Sequence, residues 1–157
     1  MRIYRRILLA STLAASLFAG ATVHASQLEQ IKKKGELVVG ILGTDEPNSF
    51  IDPKTREYIG YEVDLAKEVA AKMGVKPVFK QVAVAARIPE LQQGRIDMLA
   101  ASLTHNKERE AQIDFSLTHL LTGSKVMVKK SSNITDVKQL AGKKALTVKG
   151  GTQGPNL

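Results

Sequence analysis

Apolar and polar positions fall into blocks that predict alternating helices and strands from residue 27 onward. The segment "QLEQIKKKG" predicts a short helix that ends at Gly35. The continuous apolar run "ELVVGIL", residues 36–42, is typical of a strand that is covered on both faces. The segment "YEVDLAKEVAAKMG", residues 61–74, predicts the clearest helix, with Gly74 as its C-cap. Its apolar stripe consists of Leu65, Ala66, Val69, Ala70 and Met73.

The same alternation continues towards Phe115. The segment "KPVFKQVAV" predicts a second strand, "ARIPELQQG" a short helix that ends at Gly94, and "RIDMLAAS" a third strand. A further helix is predicted to start after the N-cap Asn106, with Ala111 and Ile113 among its apolar positions. The segment "GTDEPNSFIDPKTREYIG", which follows the first strand, is rich in turn-forming residues and predicts a loop.

Helices and strands that alternate with short connections predict an α/β fold, in which helices cover both faces of a parallel sheet. Ligands of such sheets bind beyond the carboxyl ends of the strands. Two loops are therefore candidates for binding by their position alone: "GTDEPNSF" after the first strand and "SLTHN" after the third.

The alternation of helix and strand patterns changes after Phe115, and this predicts a two-lobed organisation. We expect residues 26–120 to form a first lobe and residues 121–130 to form a hinge or crossover strand. Residues 131–157 would begin a second lobe with a short helix at Val137–Leu140 and a new strand at "KALTV". Because such a lobe needs on the order of 100 residues, we expect an incomplete second lobe and an in-frame continuation of the chain.

The first 25 residues predict a signal peptide. Arg2, Arg5 and Arg6 precede the apolar run Ile7–Ala19, and "VHA" ending at Ala25 offers small residues for cleavage. The alternative is an uncleaved anchor, although the run is shorter than the roughly 20 residues of a membrane span. We therefore expect an exported protein.

The composition of the chain disfavours two classes of function, nucleic-acid binding and thiol chemistry. Cleavage of the predicted signal peptide lowers the formal net charge from +8 to +5, and the lysines are scattered among few aromatic residues. This pattern disfavours a nucleic-acid surface, which combines clustered basic residues with stacking rings. The chain has no cysteine, so it has neither disulfides nor thiol chemistry.

Arg109 is an unexpected residue for its place. It stands at the third position of the helix that follows Asn106, where an acidic residue is favoured. The free N–H groups of a first turn and a guanidinium together suit a small anion such as a carboxylate. The alternative is a surface arginine that pairs with Glu108, Glu110 or Asp114.

The stretches "GYEVDLAKEVA", "LQQGRID" and "KEREAQIDFS", in this order and spacing, resemble the periplasmic amino-acid-binding proteins of ABC importers, the family-3 extracellular solute-binding proteins. The resemblance runs from Gln27 to Leu157. It implies a periplasmic-binding-protein-like fold with two lobes that close on a free, polar amino acid. It also implies delivery to an inner-membrane ABC permease, a monomer, and neither a cofactor nor a metal.

The resemblance implies that Arg109 clamps the α-carboxylate of the ligand. Ser102 and Thr104 match positions on the preceding loop that hold the ligand's amino group and carboxylate. Thr152, in "GGTQG", matches a second-lobe threonine that donates to the same carboxylate. Ser102 and Thr104 could instead be turn formers, and Thr152 could be a helix N-cap.

The first loop supplies two further positions through the resemblance. Asp45 matches an acid that touches the amino group or the side chain of the ligand, and Phe50 matches an aromatic residue near the side-chain pocket. Asp45 could equally form a turn, and Phe50 could belong to the core. The loop lacks the family's stacking aromatic residue and offers Asn48 and Ser49 instead. The family's second-lobe aspartate would lie beyond Leu157, so we expect this chain to bind weakly or not at all.

Catalytic motifs are scarce in this sequence. It contains no His-Glu-x-x-His run, no P-loop and no Gly-x-Ser-x-Gly elbow, and His105, in the "SLTHN" loop, is a solvated residue or one that titrates near the site. We therefore expect no enzyme. The alternatives on the same fold are a cyclohexadienyl-dehydratase-like enzyme, with Asp45 or Glu46 as the acid, and a sensory ligand-binding domain.

Overall fold

The computed structural model of the chain describes residues 26–155. The α-helices are α1 (Gln27–Lys34), α2 (Tyr61–Met73), α3 (Arg87–Gln92) and α4 (Lys107–Glu110). The strands are β1 (Glu36–Ile41), β2 (Thr44–Asp45), β3 (Ser49–Ile51), β4 (Tyr58–Ile59), β5 (Lys76–Gln81) and β6 (Met98–Leu99). Short 3-10 helices lie at Val84–Ala86, Lys130–Ser132 and Val137–Leu140. The predicted signal peptide, residues 1–25, falls outside the described part of the chain.

The main sheet is parallel and has the strand order β5–β1–β6, which confirms the predicted α/β class. The central strand β1 buries Leu37, Val39 and Ile41, as its continuous apolar run predicts. The edge strand β5 is present as predicted, but it is not covered on both faces, because its exposed residues include Val78 at 39%. The third strand is also shorter than predicted and pairs with β1 only through Met98 and Leu99.

Helix α2 packs against β1 and β5 with its small residues. Ala66 and Ala70 are fully buried, and small side chains let the helix approach the sheet closely. Gly74 ends α2 in the left-handed conformation, with φ of 72°, as predicted. The buried face of α2 also includes Glu62, which the predicted apolar stripe leaves out. The surrounding core consists of Ile31, Leu37, Val39, Ile41, Val63, Ala66, Ala70 and Ala100.

The loop after β1 carries a structure that its turn-rich sequence does not predict. Strands β2, β3 and β4 form a small antiparallel sheet there. The loop is tied to the start of α2, because the Pro47 and Asn48 carbonyls accept hydrogen bonds from the N–H groups of Tyr61 and Glu62. Gly60 makes this approach possible, since a Cβ at this residue would lie 2.5 Å from the Asn48 carbonyl oxygen.

The predicted strand at residues 144–148 is absent from the structure. No described segment pairs with it, and Leu146 is 100% exposed. The predicted short helix at Val137–Leu140 is present as a 3-10 helix, and Asp136 and Gln139 form a capping box at its start. The boundaries of the first lobe, the hinge and the second lobe remain predictions. None of the helices within residues 26–155 combines the length and the apolar character that a membrane span needs.

Candidate functional site

Asn106 caps α4 as predicted, because its side-chain oxygen accepts a hydrogen bond from the Arg109 N–H at 2.9 Å. The helix itself is shorter than predicted and has only four residues. The N–H groups of Gln112 and Ile113 both return to the Arg109 carbonyl, which closes the turn. Ala111 is therefore the C-cap of α4 and not one of its inward-facing residues.

The Arg109 side chain points inward and is only 8% exposed. Its Nη1 donates to the Thr104 carbonyl at 2.8 Å, and its Nη2 donates to the Gly150 carbonyl at 2.9 Å. Within residues 26–155, no carboxylate forms an ion pair with this guanidinium. Glu110 instead lies 3.5 Å from His105 Nε2, so the alternative of a surface pair for Arg109 does not hold.

A cavity of about 590 Å³ lies beside Arg109, and some of the predicted site residues line it. Thr104 and His105 of the loop before α4 line it, and so does Thr152. Thr152 is remote in the sequence from Thr104 and His105, and Arg109 links the two segments through its hydrogen bonds to the Thr104 and Gly150 carbonyls. The cavity therefore combines the buried positive charge of Arg109 with the hydroxyl groups of Thr104 and Thr152.

Ser102 and Asp45 meet each other, although neither lines this cavity. Ser102 Oγ donates to Asp45 Oδ2 at 2.5 Å, and Asn48 Nδ2 donates to the same oxygen at 3.2 Å. Ser102 has a φ of 49°, which is unusual for a residue other than glycine. The contact joins the loops after β1 and β6, the two loops that topology makes candidates for binding.

Phe50 stands apart from the other predicted residues. It lies half-buried in β3, opposite Thr44 and Ile59, and it does not line the cavity beside Arg109. His105 stacks near Phe115, with 4.6 Å between the ring centroids. The roles of all these side chains in binding a ligand remain predictions.

Two buried charged residues at the site were not predicted from the sequence. Glu62 is 4% exposed, and its Oε1 accepts a hydrogen bond from the Ser102 N–H at 2.8 Å. Burial raises the pKa of Glu62, and the nearby charge of Asp45 acts in the same direction. A signal for Glu62 existed, because it stands four residues before Ala66, on the helix face that Ala66 and Ala70 occupy.

Arg87 is the second of these residues and is 4% exposed. Its guanidinium donates to the Val84, Ala101 and Ser102 carbonyls at 2.8, 2.8 and 3.1 Å. Burial lowers the pKa of Arg87, and the positive charge of Arg109 lowers it further. Arg87 stands three residues before Glu90 in α3, and nothing in its local sequence distinguishes it from a solvated arginine.

The chain belongs to the bacterial extracellular solute-binding proteins, family 3, which it matches over residues 37–152. This match confirms the family resemblance of the sequence. It is also consistent with the parallel sheet and with the cavity at the loop that follows β6.

Two relatives and one solved structure illustrate the family. The glutamine-binding protein of Geobacillus stearothermophilus is 37% identical over 83% of this chain and 51% of its own length. The L-glutamate/L-aspartate-binding protein of Pseudomonas aeruginosa is 31% identical over 97% of this chain and 53% of its own length. The crystal structure of the ancestral amino-acid-binding protein AncCDT-1, a precursor of cyclohexadienyl dehydratase, aligns with a TM-score of 0.59 and 37% identity, over 60% of this chain and 41% of that one. The chain thus spans about half the length of the relatives that it matches.

Proposed function

We propose that the chain is the ligand-capturing part of a periplasmic solute-binding protein, which binds a free polar amino acid and delivers it to an inner-membrane ABC permease. Export would depend on the predicted signal peptide, with cleavage after Ala25. The relatives named above support the amino acid as the class of ligand, and the extracellular family supports export.

The observation that carries the proposal is the buried guanidinium of Arg109. Its hydrogen-bond partners are the neutral carbonyls of Thr104 and Gly150, so the positive charge has no carboxylate partner among the described residues. Burying an unpaired charge is costly, and an anionic ligand group in the adjoining cavity would compensate for it. A ligand α-carboxylate supplies that group, and the Thr104 and Thr152 hydroxyls would add donors for its oxygens.

An enzymatic function has weaker support from the geometry. Asp45, a candidate acid for dehydratase chemistry, already accepts hydrogen bonds from Ser102 and Asn48 and does not line the cavity beside Arg109. A general acid has to reach the reacting group of its substrate within hydrogen-bond distance. Incubation of the purified chain with prephenate tests the alternative, and we expect no turnover.

The proposal is tested by titrating the purified, signal-free chain with free amino acids and recording NMR spectra of the labelled protein. Such spectra detect binding even when the dissociation constant is as weak as about 1 mM. We expect Arg109→Ala to weaken binding by about tenfold or more, since a buried charge-assisted hydrogen bond is lost.

Arg95→Ala is the matched control, because Arg95 is an exposed arginine in an ion pair with Glu90. It should leave the affinity unchanged. If no amino acid binds, or if Arg109→Ala and Arg95→Ala bind equally well, the proposed function is wrong. Sequencing the N-terminus of the exported protein tests the cleavage site, and a mature chain that starts at Ser26 is the expected result.

A further inference from the structure

The segment 144–155 is largely exposed, yet part of it lines the cavity described above. Val148 is 63% exposed, so little apolar surface holds the segment on the molecule. Residues 148–151 form a turn, because the Gly151 N–H donates to the Val148 carbonyl at 3.1 Å. This turn is named the Gly150 turn below, and both of its glycines line the cavity.

Two hydrogen bonds to one oxygen hold the Gly150 turn in place. The Gly150 carbonyl accepts from Arg109 Nη2 at 2.9 Å and from Arg87 Nη2 at 3.0 Å. Among the residues that the structure describes, these are the hydrogen bonds that join the segment 144–155 to the rest of the molecule. The attachment is therefore polar and local, and it depends on the two guanidinium groups.

The Gly150 carbonyl engages the guanidinium that the proposed function assigns to the ligand carboxylate. Arg109 Nη1 already donates to the Thr104 carbonyl, so Nη2 is the end of this side chain that the turn covers. A neutral carbonyl accepts the N–H group but does not compensate the positive charge. A carboxylate makes a charge-assisted hydrogen bond, which is about twice as strong. A ligand carboxylate is therefore able to displace the carbonyl.

We propose that the Gly150 turn is an autoinhibitory contact, whose carbonyl takes the place of the ligand carboxylate at Arg109 until a ligand displaces it. This inference rests on the proposed function and adds a regulation of the same site. Gly150 and Gly151 both lack a Cβ, so the peptide between them can rotate away at low steric cost. The apparent affinity of such a site is its intrinsic affinity reduced by the fraction of molecules in which the carbonyl has left.

The docked position of the turn requires glycine at residue 150. The φ of Gly150 is 85°, and a Cβ there would lie 2.6 Å from Ala85 Cα and 3.0 Å from the Ala85 nitrogen. Both neighbours are backbone atoms, which cannot move aside as the end of a flexible side chain can. Gly150→Ala should therefore favour the undocked turn while every side chain of the site is kept. Gly142→Ala is the matched control, because Gly142 also has a positive φ, of 74°, but a Cβ there meets no atom within 4 Å.

The experiment titrates the signal-free wild-type chain, Gly150→Ala and Gly142→Ala with each of the common L-amino acids and records NMR spectra. We expect Gly150→Ala to bind the wild-type ligand about tenfold more tightly, because the competing carbonyl is removed. Gly142→Ala should keep the wild-type affinity. If Gly150→Ala binds as the wild type does or more weakly, the inference is wrong while the proposed function stands. If no amino acid binds to any of the three proteins, both are wrong.

A second measurement needs no ligand, and unchanged resonances of β1 show that each variant is folded. Backbone NMR relaxation reports the order of the Gly151 amide next to the anchored carbonyl. We expect an order parameter of about 0.85 in the wild type and below about 0.6 in Gly150→Ala and in Arg109→Ala, which loses one of the two anchoring hydrogen bonds. A Gly151 amide that is equally ordered in all three proteins, or already flexible in the wild type, would overturn the inference without affecting the proposed function.

Discussion

Residues 36–41 and 144–148 carry similar apolar sequences, "ELVVGI" and "KALTV", yet the structure treats them differently. The first becomes the central strand β1, in which Leu37 is 2% exposed. The second forms no strand, and Leu146 is 100% exposed. Strand β1 has β5 on one side and β6 on the other, whereas no described segment pairs with residues 144–148.

The comparison shows that an apolar segment can form a strand, but that it does so only where a neighbouring strand pairs with it. A ladder supplies partners for the backbone N–H and C=O groups, and a covering helix removes the side chains from water. For β1 both are present, since α2 packs against it. Other large apolar residues between Phe115 and Thr147 are exposed as well, among them Leu117, Leu121 and Met127.

The largest expected effect is on the free energy of unfolding, when the same substitution of leucine by alanine is made in each of these two regions. Leu37→Ala removes a fully packed side chain from the core and should destabilise the chain by roughly 2–5 kcal/mol. Leu146→Ala, at a fully exposed position, should change the free energy of unfolding by no more than about 0.5 kcal/mol. Urea unfolding followed by circular dichroism measures both values. A loss for Leu146→Ala close to that for Leu37→Ala would show that residues 144–148 are packed after all.

The alternation of apolar blocks was sufficient to predict α2, β1, β5 and the parallel sheet. These elements are long enough for their apolar patterns to appear, with 13 residues in α2 and six each in β1 and β5. The small sheet of β2, β3 and β4 was not predictable in this way. Its strands have two or three residues each, which is too short for a period to appear among Gly, Pro and Asn.

For the candidate site, sequence reasoning found Arg109 because an arginine in the first turn of a helix violates a local preference. Arg87 violates no such rule, and its burial results from carbonyls at Ala101 and Gly150, which are 14 and 63 residues away. Long-range contacts of this kind leave no trace in local periodicity. Phe50 was predicted from the family resemblance to lie near the ligand's side-chain pocket. It does not line the cavity beside Arg109.

A smaller effect is expected within the packed region, where a loop meets α2. Gly60→Ala would place a Cβ 2.5 Å from the Asn48 carbonyl oxygen, at a φ of 122° that other residues rarely adopt. We expect a loss of about 1–3 kcal/mol in the free energy of unfolding. Gly123→Ala is the matched control, because a Cβ there meets no atom within 4 Å, and it should be nearly neutral. A neutral Gly60→Ala would mean that the loop is not docked on the helix.

The smallest expected effect is electrostatic and compares two glutamates of the packed region. Burial raises the pKa of Glu62 above its ordinary value, whereas hydrogen bonds from Arg95 and Lys80 lower the pKa of Glu90 to about 2. A raised carboxyl pKa contributes stability at low pH that is lost as the pH rises through the folded value. A lowered pKa contributes stability above the unfolded value that is lost as the pH falls towards about 2.

We therefore expect the wild-type chain to lose stability relative to Glu62→Gln as the pH rises above the ordinary glutamate pKa of about 4.5. Relative to Glu90→Gln it should become more stable as the pH rises from about 2 to about 5. Urea unfolding of the three proteins across this range gives two difference curves of opposite slope. The substitution at Glu62 keeps an amide oxygen that can accept the Ser102 N–H, so the comparison isolates the charge. Two curves of the same slope would show that the Glu62 carboxylate stays solvated, and the buried face of α2 would then end at Val63.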